Sequence, residues 1–461
     1  MKIFYALFSI FLINLPCSTA QNLSDQDRIR LLHEAALTRG RSYEWLEFLC
    51  KKIGNRLSGS PQLAAATNYT AGIMRSLSFD TVWLQPCKVP HWERGPREIC
   101  RVTGSAMGSF DLNVLALGNT WGTGPKGLFG EVIAVRSLEE LDRMDAEKIK
   151  GKIVYFNRPF TETTVSTFEA YGLTVDQRSR GPQLAARKGA IAALVRSVTG
   201  ADDDQPHTGG SRFDEDGPFI AAYAVGCQSA DRLDQALQAG KVTVYCQSES
   251  RMLPDADGWN VIGEIRGSRS PEEVIIVSGH LDSWDTGEGA HDDGAGCVQS
   301  IEALHLLQLT GYKPRRTIRA ILYTNEENGV AGGNAYRKYA DAASEKHIMA
   351  IESDAGGHSP QGFFYESTEV YDKQYASTIS KWEASLKEYG YRFVAGGSGV
   401  DITPLKPLNT FLLGLMPDSQ RYFDYHHSAN DTFDKVNRRE LALGSAAMAS
   451  ILYLADKYGV K

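Results

Sequence analysis

A set of side chains in this sequence has the types and order of a metal-hydrolase centre: His280, Asp282, Asp292, Glu326, Glu327, Asp354 and His427. Imidazole nitrogens and carboxylate oxygens are donors that zinc takes, and hydrolysis also needs an open coordination position and a carboxylate base nearby. Each residue falls at the end of an apolar, strand-like run or in the loop that follows one. Val274–Val277 leads through Ser278-Gly279 to His280-Leu281-Asp282, and Ile318–Tyr323 leads to Glu326-Glu327. The run IMAIESD ends on Asp354, and His427 lies in RYFDYHHSAND. Open α/β sheets place their sites there, outside the carboxyl ends of the strands. Adjacent glutamates at a strand end point different ways, so Glu327 can ligate metal while Glu326 faces substrate as general base. In His280-Leu281-Asp282, a carboxylate two residues on is placed to hold the imidazole N–H and fix its tautomer. Taken singly, each residue has an ordinary reading: a cap, a solvated helix start, an acid beside a helix dipole. The joint order and strand-end placement outweigh those readings.

The elements that must position these residues follow from periodicity. From Trp259 onward, strands (Asn260–Ile265, Val274–Ser278, Thr317–Thr324, Ile348–Ser353, Thr410–Leu415) alternate with helices (Gly294–Leu309, Ala331–Tyr339, Tyr371–Tyr389, Arg438–Tyr458). Such alternation predicts an α/β fold whose mixed, mostly parallel sheet carries helices on both faces. Upstream, residues 24–52 and 61–78 read as amphipathic helices parted by the breakers GNRLSGSP. Thr81–Val89 and Glu98–Thr103 read as strands, with HWERGP as a hairpin connection. From about 115 to 250, short strands and helices mix with long polar loops, the longest being ADDDQPHTGGSRFDEDG at 201–217. This block is expected to be an inserted domain, with Ser248–Gly258 as its return linker and His207 and Thr208 as a lid over the site. The expected divisions are a signal at 1–20, an N-terminal part of the main domain at 21–114, the insert at 115–250 and the catalytic part at 251–461.

Bulk properties narrow the class. The formal charge of −7 over 461 residues gives no reason to expect nucleic-acid binding. The opening MKIFYALFSIFLINLPCSTA reads as a secretory signal cut after Ala20, and no later run is long enough for a membrane span. Export brings the sequons at Asn22, Asn68 and Asn430 into play as glycosylation acceptors. It also permits disulfides, for which Cys87 with Cys100 and Cys227 with Cys246 are the pairs close in sequence; Cys297 reads as a buried free thiol. There is no C-x-x-C, no G-x-S-x-G elbow, and His33-Glu34 lacks a second histidine at zincin spacing.

The segments GHLDSWDTGEGAHDDGAG, YTNEENGVAGG, ESDAGG and RYFDYHHSANDTFDKV resemble the M28 family of co-catalytic zinc peptidases, in its plasma glutamate carboxypeptidase branch. In the insert, GKIVYFNRPF, ALVRSVTG, PHTGG and AAYAV resemble the protease-associated (PA) domain of that branch. The resemblance covers essentially all of the chain after the signal. It implies two zinc ions per chain, one held by His280, Asp292 and Asp354, with Asp292 bridging to a second held by Glu327 and His427. It implies Glu326 as general base, Asp282 in support behind the ligands, and a zinc-bridging hydroxide that attacks a dipeptide or small peptide. A carboxypeptidase or dipeptidase is the implied type, as a homodimer that is secreted or lysosomal by way of the endoplasmic reticulum and Golgi. His426 or Tyr425 is expected to donate to the oxyanion, and Arg421 and Tyr422 to meet a substrate carboxylate. His291 stands where relatives of this branch tend to have an apolar residue, an extra imidazole close enough that it could compete as a ligand. Two alternatives stay open: an aminopeptidase of the same family and, from another class, a catalytically inactive receptor-like binding module.

Overall fold

The computed structural model describes residues 23–161 and 163–460; the signal expected over 1–20 and the sequon at Asn22 lie outside the described residues. In chain order the strands are β1 (Thr81–Glu93), β2 (Ile99–Gly104), β3 (Phe110–Asp111), β4 (Val114–Ala116), β5 (Leu128–Val135), β6 (Ile153–Phe156), β7 (Ala192–Arg196) and β8 (Ala221–Val225). They continue with β9 (Thr243–Gln247), β10 (Arg251–Ile265), β11 (Ser270–His280), β12 (Arg316–Tyr323), β13 (Lys346–Glu352), β14 (Pro360–Glu366), β15 (Arg392–Gly396) and β16 (Phe411–Pro417). A main sheet runs β1-β10-β12-β11-β13-β16-β14-β15, and an insert sheet runs β3-β2-β9-β5-β6-β7-β8-β4.

At the centre of the main sheet, β12, β11, β13 and β16 are neighbours and parallel, with antiparallel β10 and β14 flanking them. Their unbroken apolar runs suit strands covered on both faces. Along β11, Ile275 and Val277 join the core under the helices Asp25–Arg39, Ala295–Leu309 and Arg438–Tyr458, while Val274 and Ile276 join the core under the helix Ala331–Ala342. Each such buried side chain contributes about 1.5–3 kcal/mol. This is the α/β sheet with two covered faces that the periodicity predicts.

Four expectations fail. HWERGP closes no hairpin: β1 pairs antiparallel with β10 from Thr81↔Glu264 to Glu93↔Arg251. The supposed return linker is therefore mostly strand, hidden because its half-exposed faces carry no apolar alternation. The chain leaves the main sheet after Glu93 and re-enters at Arg251, and β2 and β3 already belong to the insert sheet, ahead of the expected boundary at 114/115. Neither local cysteine pair forms. Cys87 stands opposite Gly258, whereas Cys100 faces Cys246 across β2 and β9 with 3.5 Å between sulfurs, because the partner of β2 is the last strand of the insert. The described cysteines are all thiols, and Cys297 is buried, donating to the His280 carbonyl. Asn68 is exposed on the helix Pro61–Ser76, while the Asn430 amide donates to Asp203 at 2.9 Å. Among the described residues, no helix is long and apolar enough to cross a membrane.

Candidate metal centre

The parallel order β12-β11-β13-β16 sets carboxyl ends side by side, where open sheets put their sites. His280 ends β11, Glu326 and Glu327 follow β12, Asp354 follows β13, and His427 closes the loop after β16 and the short helix Tyr422–Tyr425. Asp292 comes from the loop that opens the helix Ala295–Leu309.

These side chains converge. His280 Nε2 lies 3.2 Å from Asp292 Oδ1 and 3.3 Å from Asp354 Oδ1. His427 Nε2 lies 3.2 Å from Asp292 Oδ2 and 3.0 Å from Glu327 Oε2. Asp292 is common to both clusters. Four donors placed about 2.0–2.1 Å from a tetrahedral zinc stand roughly 3.3 Å from one another, so the observed spacings match a ligand shell. The tautomers match as well. His280 Nδ1 lies 3.0 Å from the Asp282 carbonyl and His427 Nδ1 lies 3.2 Å from the Thr208 carbonyl. A carbonyl only accepts, so each Nδ1 carries the proton and each Nε2 turns a lone pair toward carboxylate oxygens. His280 Nε2 and Asp292 Oδ2 are buried with no hydrogen-bond partner. Facing lone pairs in a dry site call for a cation, and the donor set fits zinc.

The electrostatics report the same excess of negative charge, which on each imidazole favours a second proton, on Nε2, where no cation takes its place. Burial opposes charge on both imidazoles, yet the facing carboxylates outweigh it: His280 is raised well above its ordinary value and His427 to about 9. Burial works against Asp292, but His280 and His427 hold it well below the usual carboxylate range. Glu326, in the cleft wall, is pushed well above that range by desolvation, with Asp354 and Glu327 adding to it against His280.

The supporting contacts differ in part from expectation. The Asp282 carboxylate stands 3.8 Å from His280 Nδ1, and its backbone carbonyl takes that proton instead. The carboxylate accepts the amides of Glu326 and Glu327 at 3.1 and 3.2 Å, so it aligns the candidate base and a ligand together. Asp293 accepts the amides of His280 and Gly296, tying the strand end to the helix start. Two supports escaped sequence reasoning. Asp431 accepts the amides of His291 and Asp292 at 2.7 and 3.1 Å. Arg56 is fully buried and donates to the carbonyls of Gly54, Leu281, Glu288 and Gly289. Their only signals were places within RYFDYHHSAND and GNRLSGSP.

His291 belongs to neither donor cluster. It accepts the Gly357 amide, stacks on His358 and Tyr425, and is driven to about 3 by burial, a neutral ring held by these neighbours rather than one of the donors grouped around Asp292. His426 stacks on His427 with ring centres 3.5 Å apart, lies 3.6 Å from Asp292 Oδ2, and is held neutral by burial and by His427. Tyr425 does not line the cleft; Tyr422 does. Arg421 also lies off the cleft, paired with Glu440 at 3.4 Å and bonded to His358, so the expected carboxylate reader is not at the site. His207 and Thr208 form no lid. The Thr208 amide donates to the His427 carbonyl at 2.9 Å and His207 Nδ1 to the His426 carbonyl at 2.6 Å, which braces the donor loop from beneath.

The cleft measures about 590 Å³, within the range of small-ligand sites. Asp292, Glu326, Glu327, Asp354, His426 and His427 form one wall; Phe168, Tyr171, Arg178 and Arg212 of the insert face them. A second, more apolar lobe of about 630 Å³ opens beside Asp354, between Phe168, Phe364, Val394, Val400 and Leu415.

Known proteins resemble this chain in sequence and in fold. Residues 260–452 match the model of Peptidase family M28. Carboxypeptidase Q of Bos taurus is 34% identical over 421 residues, which is 90% of this chain and 85% of that protein. The crystal structure of a Peptidase M28 precursor from Shewanella amazonensis SB2B aligns with a TM-score of 0.88 at 31% identity, covering 95% of this chain and 98% of that one. A zinc aminopeptidase from Bacillus subtilis shares the fold at a TM-score of 0.65 and 18% identity, over 91% of this chain and 96% of that one.

Proposed function

The chain belongs to peptidase family M28, a family of zinc-dependent hydrolases, and from that premise we propose that it is a dizinc exopeptidase of dipeptides or small peptides. The carrying observation is Asp292, whose two oxygens each face an imidazole lone pair. His280, Asp292 and Asp354 would hold one zinc; Asp292, Glu327 and His427 would hold the other. When bound, such a pair polarises the scissile carbonyl and lowers the pKa of water so that a nucleophile is available near neutral pH. Glu326 takes the proton from the attacking water and delivers it to the leaving amine, a task suited to a carboxyl whose pKa burial raises above the usual range. His426, neutral and in the cleft wall, takes the place foreseen for it or Tyr425 as donor to the oxyanion.

The carboxypeptidase or dipeptidase type rests on the name of the relatives that span 90% of the chain. The aminopeptidase of Bacillus subtilis, at 18% identity, lends the fold alone. The retained donors and base count against a receptor-like module. The insert is read as a PA domain that narrows the cleft to small substrates, and the protein as an exported homodimer.

Glu326→Gln should keep its zinc and lose about 10²–10⁴-fold in kcat on a free dipeptide. Undiminished turnover would remove Glu326 as base. A panel of dipeptides, free or blocked at either end, tests the polarity. N-acetylated dipeptides should be cleaved, and requirement for a free amine with indifference to a carboxyl block would make the enzyme an aminopeptidase.

A further inference from the structure

Arg178, on the insert wall of the cleft, is a buried cation without a counter-charge. It lies in the short helix Asp176–Ser179 and is 4% exposed. Its Nη1 donates to the Thr208 carbonyl at 2.9 Å and its Nη2 to the Tyr171 hydroxyl at 2.6 Å, both neutral acceptors. Nε is buried with no partner at all. Arg178 makes no ion pair among the described residues, and yet it lines the same cavity as Asp292, Glu326, Glu327 and His427.

Other buried arginines show how such a charge is ordinarily settled. Arg319, 2% exposed, is gripped by the carboxylates of Glu264 and Glu345 at 2.7 and 2.8 Å. Arg56 spreads its charge over the carbonyls that close the loop around it. Burying an ionised group is costly unless it is paired, so a guanidinium that lines a cavity with no carboxylate of its own is completed by what enters that cavity. The backbone makes room for it. A Cβ at Gly209, where φ is +140°, would fall 2.4 Å from the Arg178 Cζ, so a glycine is needed for the guanidinium to lie there. Arg212, exposed on the same wall, adds positive charge at the rim.

We propose that Arg178 is the specificity-determining residue that receives the free α-carboxylate of the substrate, on the leaving-amine side of the scissile bond. One N–H on each of Nη1 and Nη2 is uncommitted to protein, and those two suffice for the two-point contact that a guanidinium makes with a carboxylate. The carboxyl end of the substrate then points at the insert. The residue on the other side of the bond projects toward the apolar lobe beside Asp354. The assignment rests on the carboxypeptidase or dipeptidase reading above, and it moves the carboxylate reader from Arg421 in the main domain to the insert.

The test compares kcat/KM for the best free dipeptide of a panel and for its C-terminal amide, in the wild type, Arg178→Met and Arg178→Lys. The wild type should prefer the free acid by about 10²-fold or more, as sites that pair a specific polar group do. In Arg178→Met the preference should fall to within about 3-fold, with the loss falling on the acid and zinc content retained; Arg178→Lys should be intermediate. Thermal shift gives a reading without turnover: the free product amino acid should stabilise the wild type more than its amide does, and the variants should lose that difference. A wild type indifferent to amidation overturns the exopeptidase polarity itself. A wild type that discriminates beside variants that still do so overturns only the role of Arg178. If Arg178→Met does not fold, Arg178→Lys decides by the same two readings, full discrimination counting against the proposal.

Discussion

The two halves of the donor centre are built differently. His280 is held within its own neighbourhood: Nδ1–H by the Asp282 carbonyl two residues on, backbone N–H by Asp293, and facing Asp354 just past the end of the adjacent strand β13. His427 ends a loop, at φ +62°, and its Nδ1–H reaches the Thr208 carbonyl 219 residues away in sequence. Thr208 returns a hydrogen bond to the His427 carbonyl. The first half follows from strand register alone, whereas the second is complete only once the insert has docked. The insert is thus part of the candidate centre and of the cleft wall, and more than an attachment to the main domain.

Mutations can break that contrast, beginning with the residue both halves share. Asp292→Ala should reduce turnover to background and leave at most one zinc per chain, by metal analysis of the purified protein; retention of both metals would refute the bridge. Asp282→Ala comes next, because it frees the amides of both Glu326 and Glu327. About a 10²-fold loss of kcat with weaker zinc binding is expected, and an effect confined to His280 would mean that the carboxylate acts on the imidazole after all. His207→Ala removes a brace from the His427 half only. On titration with a chelator, about 10-fold weaker retention of one zinc should appear while the other is unchanged; equal loss of both would erase the distinction.

The smallest effect is on acid stability, and two histidines of the main domain report it. His33 and His347 are lowered to about 4, chiefly by burial. A histidine whose folded pKa lies below its ordinary 6.5 supports the fold fully above about pH 6.5, and that support is lost as pH falls toward 4. The melting temperature should decline over that window, and His347→Gln should flatten the decline; an unaltered slope would exclude His347 as a contributor.

The donors were legible because each terminates a run whose apolar pattern is itself readable. The central strands and their helices followed from the same periodicity. The β1–β10 ribbon was not legible, since its residues are half-exposed and its partners lie on either side of the insert. Pairing Cys87 with Cys100 failed for a related reason: nearness in sequence does not predict which strand lies alongside. Among arginines, Arg421 drew attention by its nearness to His427 in the chain, while Arg178 reaches the cleft by way of the insert.

What the sequence by itself determined is the set of donor types and their position at the ends of strands β11, β12 and β13 and in the loop beyond β16. Burial periodicity is local, and a strand that must be covered on both faces announces where it ends. Only the tertiary structure decided that Asp282 serves the glutamates, that Thr208 orients His427, and that the unpaired cation facing the cleft belongs to the insert. Those outcomes depend on hydrogen bonds and charges meeting across segments far apart in the chain, and no periodicity within one segment records its distant partner.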